Sequence, residues 1–189
     1  LKGLTQAVTG SGTDRAQRFL ASAYDSVEAL LATLDTVRTL RKKKKGDIRG
    51  RLPENEADLL RAAIVFTGAG LDASLKQLIR DALPALLETN KDAHTKFENF
   101  ASEKMGVGDA ADAKVVARYL TPQDPRGRLI EDYVLYLTGS SLQSAEEVDR
   151  VAGALGISDK ELRRRISGLK DVFVARNEIS HELDLQHPE

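Results

Sequence analysis

The sequence predicts an all-α protein, and three observations favour this fold class. Aromatic residues make up only 5% of the chain and there is no Trp, while Leu and Ala are abundant. This balance suits helix packing better than sheets. Apolar residues recur at alternating spacings of three and four, the period of one helix face, and no alternating strand pattern extends beyond a few residues. At 189 residues, 41% of them apolar, the chain can bury a substantial core, so we expect one domain over 1–189.

A long first helix is expected from Thr13 or Asp14, either of which can cap it, to about Leu40. Its apolar positions form the stripe of a helix packed lengthwise on a partner: Leu20, Tyr24, Val27, Leu31 and Leu34. Residues 41–51 are basic, contain two glycines and are followed by Pro53, so they are expected to form a loop.

A second long helix is expected from Glu54 to Arg80 or slightly beyond Pro84. Its apolar positions are Leu60, Ile64, Leu71, Leu75 and Leu78. The Gly-x-Gly at Gly68 and Gly70 lacks the preceding strand and third glycine of a dinucleotide loop. These small residues are better explained as places where two helices approach closely.

Shorter helices are expected in the second half, at residues 91–105, 111–120, 128–137, 145–155 and 159–167. Glycines at 106–108 and prolines at 122 and 125 separate the earlier ones. A final helix holds Leu169, Val172, Phe173, Ile179 and Leu183. The pattern predicts an antiparallel four-helix bundle with additional short helices, and a possible helical-hairpin insertion at 140–167.

Composition restricts the chemistry. The absence of Cys excludes disulfides, thiolate nucleophiles and Cys-based metal sites. His94 and His187 stand apart from acidic clusters, so no metal and no cofactor are expected. No run of 18 apolar residues occurs and the first residues do not resemble a signal peptide, so we expect a cytoplasmic protein without membrane partners. With 28 basic and 29 acidic residues, any nucleic-acid surface must be a local patch.

The last predicted helix carries an arginine within its apolar face. Arg176 lies among Val172, Phe173 and Ile179, and a guanidinium that cannot deprotonate is costly there without carboxylate or phosphate partners. Asn177 and His181 lie one turn apart on an adjacent face, toward which the long Arg side chain can bend. We expect these three polar groups to converge.

This segment, Arg176-Asn177-Glu178-Ile179-Ser180-His181, resembles the Arg-x(4-6)-His motif of the HEPN superfamily in its common Arg-Asn-x-x-x-His form. HEPN domains are helical bundles with this motif on the carboxy-terminal core helix, and the resemblance extends over nearly the whole chain. It implies a metal-independent endoribonuclease with a composite active site in a homodimer. Arg176, Asn177 and His181 would be catalytic, and Asp72 and Glu178 are candidate supporting residues.

The implied chemistry is attack by an RNA 2′-hydroxyl on the adjacent phosphorus, giving a cyclic phosphate. His181 has the side-chain type that can move protons near neutral pH, and Arg176 would hold the phosphate. The resemblance also implies a role in antiviral defence or in a toxin–antitoxin pair with a regulatory partner. HEPN toxins paired with a nucleotidyltransferase carry Tyr two positions after the motif His, where this chain has Leu183, so control through that Tyr is in doubt.

The same residues also fit other interpretations. Arg176 can instead form an internal ion pair, with Asp72 as a candidate partner and His181 as a surface residue. An intact HEPN dimer can also bind RNA or a partner without cleaving. The basic run Lys42, Lys43, Lys44 and Lys45 is either an RNA-backbone contact or a solvated loop. Residues 148–166 resemble a DNA-binding helix-turn-helix, although short helical hairpins are also common in bundles.

Overall fold

The regular elements of the structure are all α-helices, as predicted. The structure is a computed structural model that describes residues 13–46, 52–106, 113–157 and 159–182, apart from the side chains of Lys45, Arg163, His181 and Glu182. Within these ranges it contains α1 (Asp14–Lys45), α2 (Glu54–Thr89), α3 (Lys91–Met105), α4 (Ala113–Leu120), α5 (Pro125–Thr138), α6 (Ala145–Ala154), α7 (Lys160–Ser167) and α8 (Lys170–Glu182). None of these described helices combines the length and apolar character needed to cross a membrane.

The two longest helices, α1 and α2, pack against each other in antiparallel orientation through small residues. A Cβ placed on Gly70 of α2 would overlap the Cβ of Ala23 in α1, so only a residue without a side chain fits there. The Ser74 hydroxyl donates to the carbonyl of Ala16 at the same interface. The close approach predicted at the glycine pair is therefore confirmed.

The predicted end of the first helix is wrong, because α1 continues through residues 41–45 to Lys45. A buried carboxylate on α2 holds this last part in place. Glu56 is fully buried and pairs with Arg41 at 3.0 Å between Nε and Oε1, while Arg38 Nε lies 3.8 Å from Oε2. Gly46, at φ 77°, follows the helix, and residues 47–51 of the expected loop lie outside the described residues.

The predicted packing stripe of α1 is covered at only one end. Leu34 is buried, but Leu20, Tyr24 and Leu31 are 49%, 61% and 45% exposed. The reason is that α1 approaches α2 through Ala16 and Ala23, which turns the larger apolar side chains outward. The described part of the chain therefore leaves most of the stripe uncovered.

The main core lies around the second half of α2. That helix continues past Pro84 to Thr89, and Asn90 caps the start of α3 by accepting hydrogen bonds from two backbone N–H groups. The chain thus turns sharply, so that α3 and α5 pack against α2 and α6 packs against α3. The buried core residues are Ile79, Leu83, Leu87, Ala93, Phe97, Tyr133, Leu137, Leu142, Val151, Ala154 and Leu155.

The fifth helix starts earlier than expected, at Pro125 rather than residue 128. Proline suits the first turn of a helix, where its missing N–H would have no partner. The Asp124 side chain caps this turn by accepting from Gly127 N. Pro125 therefore begins α5 instead of only ending the preceding helix.

A second, smaller cluster positions the last helix. Val148 of α6, Ile166 of α7 and Phe173 of α8 are buried together and contact Leu71 and Leu75 of α2. Gly156, at φ 72°, provides the turn between α6 and α7. The α6–α7 hairpin and α2 thus hold α8 from two sides.

Gly70→Ala is expected to lower the free energy of unfolding by about 1–3 kcal/mol, as overpacking does in close-packed interiors. The added methyl group would overlap Ala23. Urea denaturation measures the change, and Ala23→Gly in the same chain should relieve part of it. The matched control is Gly153→Ala, where a Cβ meets nothing within 4 Å; there we expect a gain of about 0.5–1 kcal/mol. Equal stability changes in the two variants would contradict the close-packing account.

Candidate functional site

Arg176 lies where α8 crosses α2, and the methylene groups of its side chain pack against a glycine of α2. A Cβ placed on Gly68 would be 3.2 Å from Cγ of Arg176 and 3.7 Å from Cδ. The absence of a side chain at Gly68 therefore leaves the space that the methylene groups of Arg176 occupy. Gly68 is the site residue whose role sequence reasoning missed. The small size of Gly68 indicated that two helices approach closely there, but not which side chain would occupy the space.

The guanidinium of Arg176 turns back toward the next residue of the motif. Its Nη1 donates to Oδ1 of Asn177 at 3.0 Å. Its Nε is buried without a hydrogen-bond partner, and no carboxylate of the described residues forms an ion pair with it. A guanidinium has five N–H donors, so most of this donor capacity is left unused within the described part of the chain.

His181 follows Asn177 by four positions, which places both on one face of α8. Asn177 is exposed, and so is Val174, three positions earlier on the same face and 46% exposed. The imidazole of His181 lies outside the described residues, so its position relative to Arg176 stays a prediction. The backbone of α8 nevertheless puts the motif His in the last turn, next to the Arg176–Asn177 pair.

Asp72, the candidate partner of Arg176, is bonded to other groups in the described chain. Its Oδ1 accepts from the backbone N of Leu142 at 2.7 Å, and its Oδ2 pairs with Lys76 at 2.9 Å. Asp72 thus holds the segment between α5 and α6 against α2. Glu178 is partly buried, and it forms no ion pair with any residue the structure describes.

The basic run lies at the end of α1, apart from Arg176. Lys42, Lys43 and Lys44 are exposed, which favours their interaction with the negative end of the helix dipole and with solvent; the Lys45 side chain lies outside the described residues. Arg41 beside them contacts Glu56, whereas Arg176 contacts Gly68. The twelve positions between Glu56 and Gly68 correspond to about 18 Å along α2.

The hairpin of α6 and α7 has the shape expected of two short helices joined by a glycine turn. On α7, Arg164 and Arg165 both donate hydrogen bonds to Glu161. These bonds lower the pKa of the Glu161 carboxyl, and the bond from Arg164 has the larger effect. Ile166 on the same helix is buried against Phe173 of α8. The hairpin therefore packs against α8. These contacts do not distinguish a DNA-binding hairpin from one that only stabilises the fold.

Comparison with protein-family models, with characterised proteins and with solved structures gave no match for this chain. Among the described side chains, no group of three or more His, Asp or Glu residues lies close enough together to hold a metal ion.

Gly68→Leu and Arg176→Ala are expected to be energetically coupled, because the Leu side chain needs the space that the Arg stem fills. Gly68→Leu alone should lower the free energy of unfolding by about 1–3 kcal/mol. The double variant should recover part of that loss, with a coupling energy of about 0.5–3 kcal/mol in a urea-denaturation cycle. As a control, Ala69→Leu on the exposed side of α2 should combine additively with Arg176→Ala. Additivity for the Gly68 pair would show that the contact is not formed.

Proposed function

We propose that this protein is a HEPN-type, metal-independent endoribonuclease whose active site is shared between two copies of the chain. The observation that supports this most is the state of Arg176. Its stem is held by Gly68, its Nη1 is oriented by Asn177, and it has no carboxylate partner within the described chain. A positioned guanidinium with free donors fits a phosphate oxygen in two-pronged fashion. In this proposal the helices form a HEPN-like antiparallel bundle with added short helices.

The proposed reaction divides among the motif residues. His181 of one subunit takes the proton of the RNA 2′-hydroxyl, whose oxygen bonds to the adjacent phosphorus. The bond from phosphorus to the 5′-oxygen breaks, and His181 of the partner subunit protonates that oxygen. The products are a 2′,3′-cyclic phosphate and a 5′-hydroxyl. Arg176 stabilises the charge that develops on the phosphoryl oxygens, and Asn177 keeps the guanidinium oriented.

Two proton-transfer groups are needed for this reaction, and each chain carries one motif His, so the proposal includes a homodimer. Exposed apolar side chains support a second copy. Val174 lies on the same face of α8 as Asn177, and Leu20, Tyr24 and Leu31 are uncovered on α1. The three α1 residues follow one face of that helix, separate from Val174, and apolar residues grouped along one exposed face mark interaction surfaces. Cleavage of cellular or viral RNA would give a defence or toxin role, held in check by an antitoxin or regulatory partner.

Purified protein is expected to cleave mixed RNA in the presence of EDTA and to leave 2′,3′-cyclic phosphate ends. His181→Ala and Arg176→Ala should each lower the rate by about 100-fold or more, the usual contribution of an acid–base group or a positioned charge donor. Gel electrophoresis of labelled RNA measures the rate. RNA with 2′-O-methyl groups should resist cleavage because it lacks the nucleophile.

The matched control is His94→Ala, which removes a histidine from α3 that contacts the Leu87 carbonyl and Glu98. This variant should cleave as the wild type does. If wild type, His94→Ala and His181→Ala are equally inert across many RNAs, the nuclease proposal fails. Binding of RNA without cleavage in that case would instead indicate the non-catalytic HEPN dimer.

Mixing of subunits tests the shared site. When wild type and His181→Ala chains are co-expressed in equal amounts, activity per wild-type chain should fall to about half, because half of the wild-type chains then pair with an inactive one in a symmetric dimer. Differently tagged chains allow the mixed dimers to be isolated and assayed alone. Isolated mixed dimers that keep the full activity per wild-type chain, which is half that of a wild-type dimer, would show that each chain cleaves by itself.

A further inference from the structure

A cleft of about 410 Å³ lies between α3, α5 and α6, on helices that do not carry the Arg176 site. Phe100, Tyr133, Tyr136 and Gly153 are among the residues that form its walls. The volume lies within the range of small-molecule sites in proteins, and such sites combine apolar walls with a few polar groups.

One wall of the cleft is aromatic. The Phe100 ring lies 4.8 Å from the Tyr133 ring and 5.2 Å from the Tyr136 ring, measured between centroids. Tyr133 and Tyr136 are nearly parallel, at 11° and 6.3 Å. Tyr136 is 57% exposed. A planar molecule that enters the cleft thus meets ring surfaces already held in place.

Tyr133 provides an unused hydrogen-bond donor in this wall. Its side chain is 3% exposed, yet its hydroxyl has no hydrogen-bond partner among the residues that the structure describes. Buried tyrosine hydroxyls usually have a partner. The hydroxyl oxygen keeps some accessible surface, and Tyr133 lines the cleft, so a ligand bound there can approach this oxygen. Burial raises the pKa of Tyr133 to about 12, so the group is protonated and able to donate at neutral pH.

The charges at the cleft indicate what kind of ligand fits. Two cations and two acids line it, namely Lys96, Arg150, Glu103 and Asp149. The guanidinium of Arg150 is already held by Glu147 and lies 5.3 Å from the centre of the Tyr136 ring. Because these charges balance, the cleft does not favour a polyanion. It differs in this from the Arg176 site, where the guanidinium has no carboxylate partner in the described part of the chain.

We propose that the cleft binds an uncharged planar heteroaromatic molecule, with its ring against Phe100 and Tyr136 and an acceptor atom bonded to the Tyr133 hydroxyl. A purine base with a carbonyl oxygen has this chemistry. The site does not depend on the ribonuclease proposal, because none of its residues belongs to the Arg176 motif.

The test uses inosine as the probe, titrated into the ¹⁵N-labelled full chain. We expect amide shifts in α3, α5 and α6 with a Kd of about 1 mM or tighter. Tyr133→Phe keeps the ring but removes the donor and should weaken binding roughly two- to tenfold, as expected for one net hydrogen bond. Inosine 5′-monophosphate should bind no more tightly than inosine, and ribose should not bind.

Two further variants separate ligand binding from misfolding. Gly153→Leu adds a side chain at the cleft wall, where a Cβ meets nothing within 4 Å, and should abolish binding while the chain stays folded. Tyr24→Phe removes a hydroxyl bonded to Glu28 on α1 and should bind inosine like the wild type. The proposal is overturned if inosine causes no saturable shifts in the wild type, or if Gly153→Leu binds it equally well. RNA cleavage, measured separately, should not change in Tyr133→Phe.

Discussion

Two glycines on one turn of α2 determine how the helices around it are arranged. Gly70 admits Ala23 of α1, and Gly68 admits the stem of Arg176 from α8. Residues two apart on a helix point in nearly opposite directions. Consequently α1 and α8 approach α2 from different sides at the same level. The core that α2 forms with α3, α5 and α6 begins about two turns further along α2. Near Gly68 and Gly70, the packing is therefore formed mainly by small side chains and by the cluster around Phe173.

The same packing gives Arg176 its unusual environment. Its methylene groups are covered by α2, but its charged end meets only Asn177 among the described residues, and its Nε is buried without a partner. Leaving a buried donor unsatisfied costs roughly 1–3 kcal/mol. Asp72, about one turn of α2 from Gly68, is bonded to Leu142 and Lys76 instead. An anionic ligand at Arg176 would reach the exposed Nη donors, not the buried Nε.

Helix type and most helix ends could be predicted from the sequence, because period, glycine and proline act locally. The helical conformation of residues 41–45 could not be predicted, because Arg41 is held by Glu56, which belongs to the next helix. The apolar stripe of α1 was predicted to pack on a partner helix, but most of it is exposed. Small alanines contact α2 instead, and alanine is too weakly apolar to reveal the packing face in a sequence pattern. For the site, Arg176 and Asn177 form a hydrogen bond, while the predicted convergence of both with His181 stays a prediction. The roles of Gly68 and Tyr133 could not be predicted, because they depend on contacts between distant segments. The HEPN relationship and the activity remain proposals.

The most direct test of the central claim follows the Nε–Hε resonance of Arg176 by NMR, assigned with Arg176→Lys, while 2′-O-methyl RNA is added. This RNA binds without being cleaved if the 2′-hydroxyl is the nucleophile. If the guanidinium, whose Nε alone is buried, is held ready for a phosphate, the Nε–Hε resonance should shift in step with RNA binding. Saturable RNA binding that leaves this resonance unchanged, and instead perturbs the Lys42 to Lys44 region, would contradict the account.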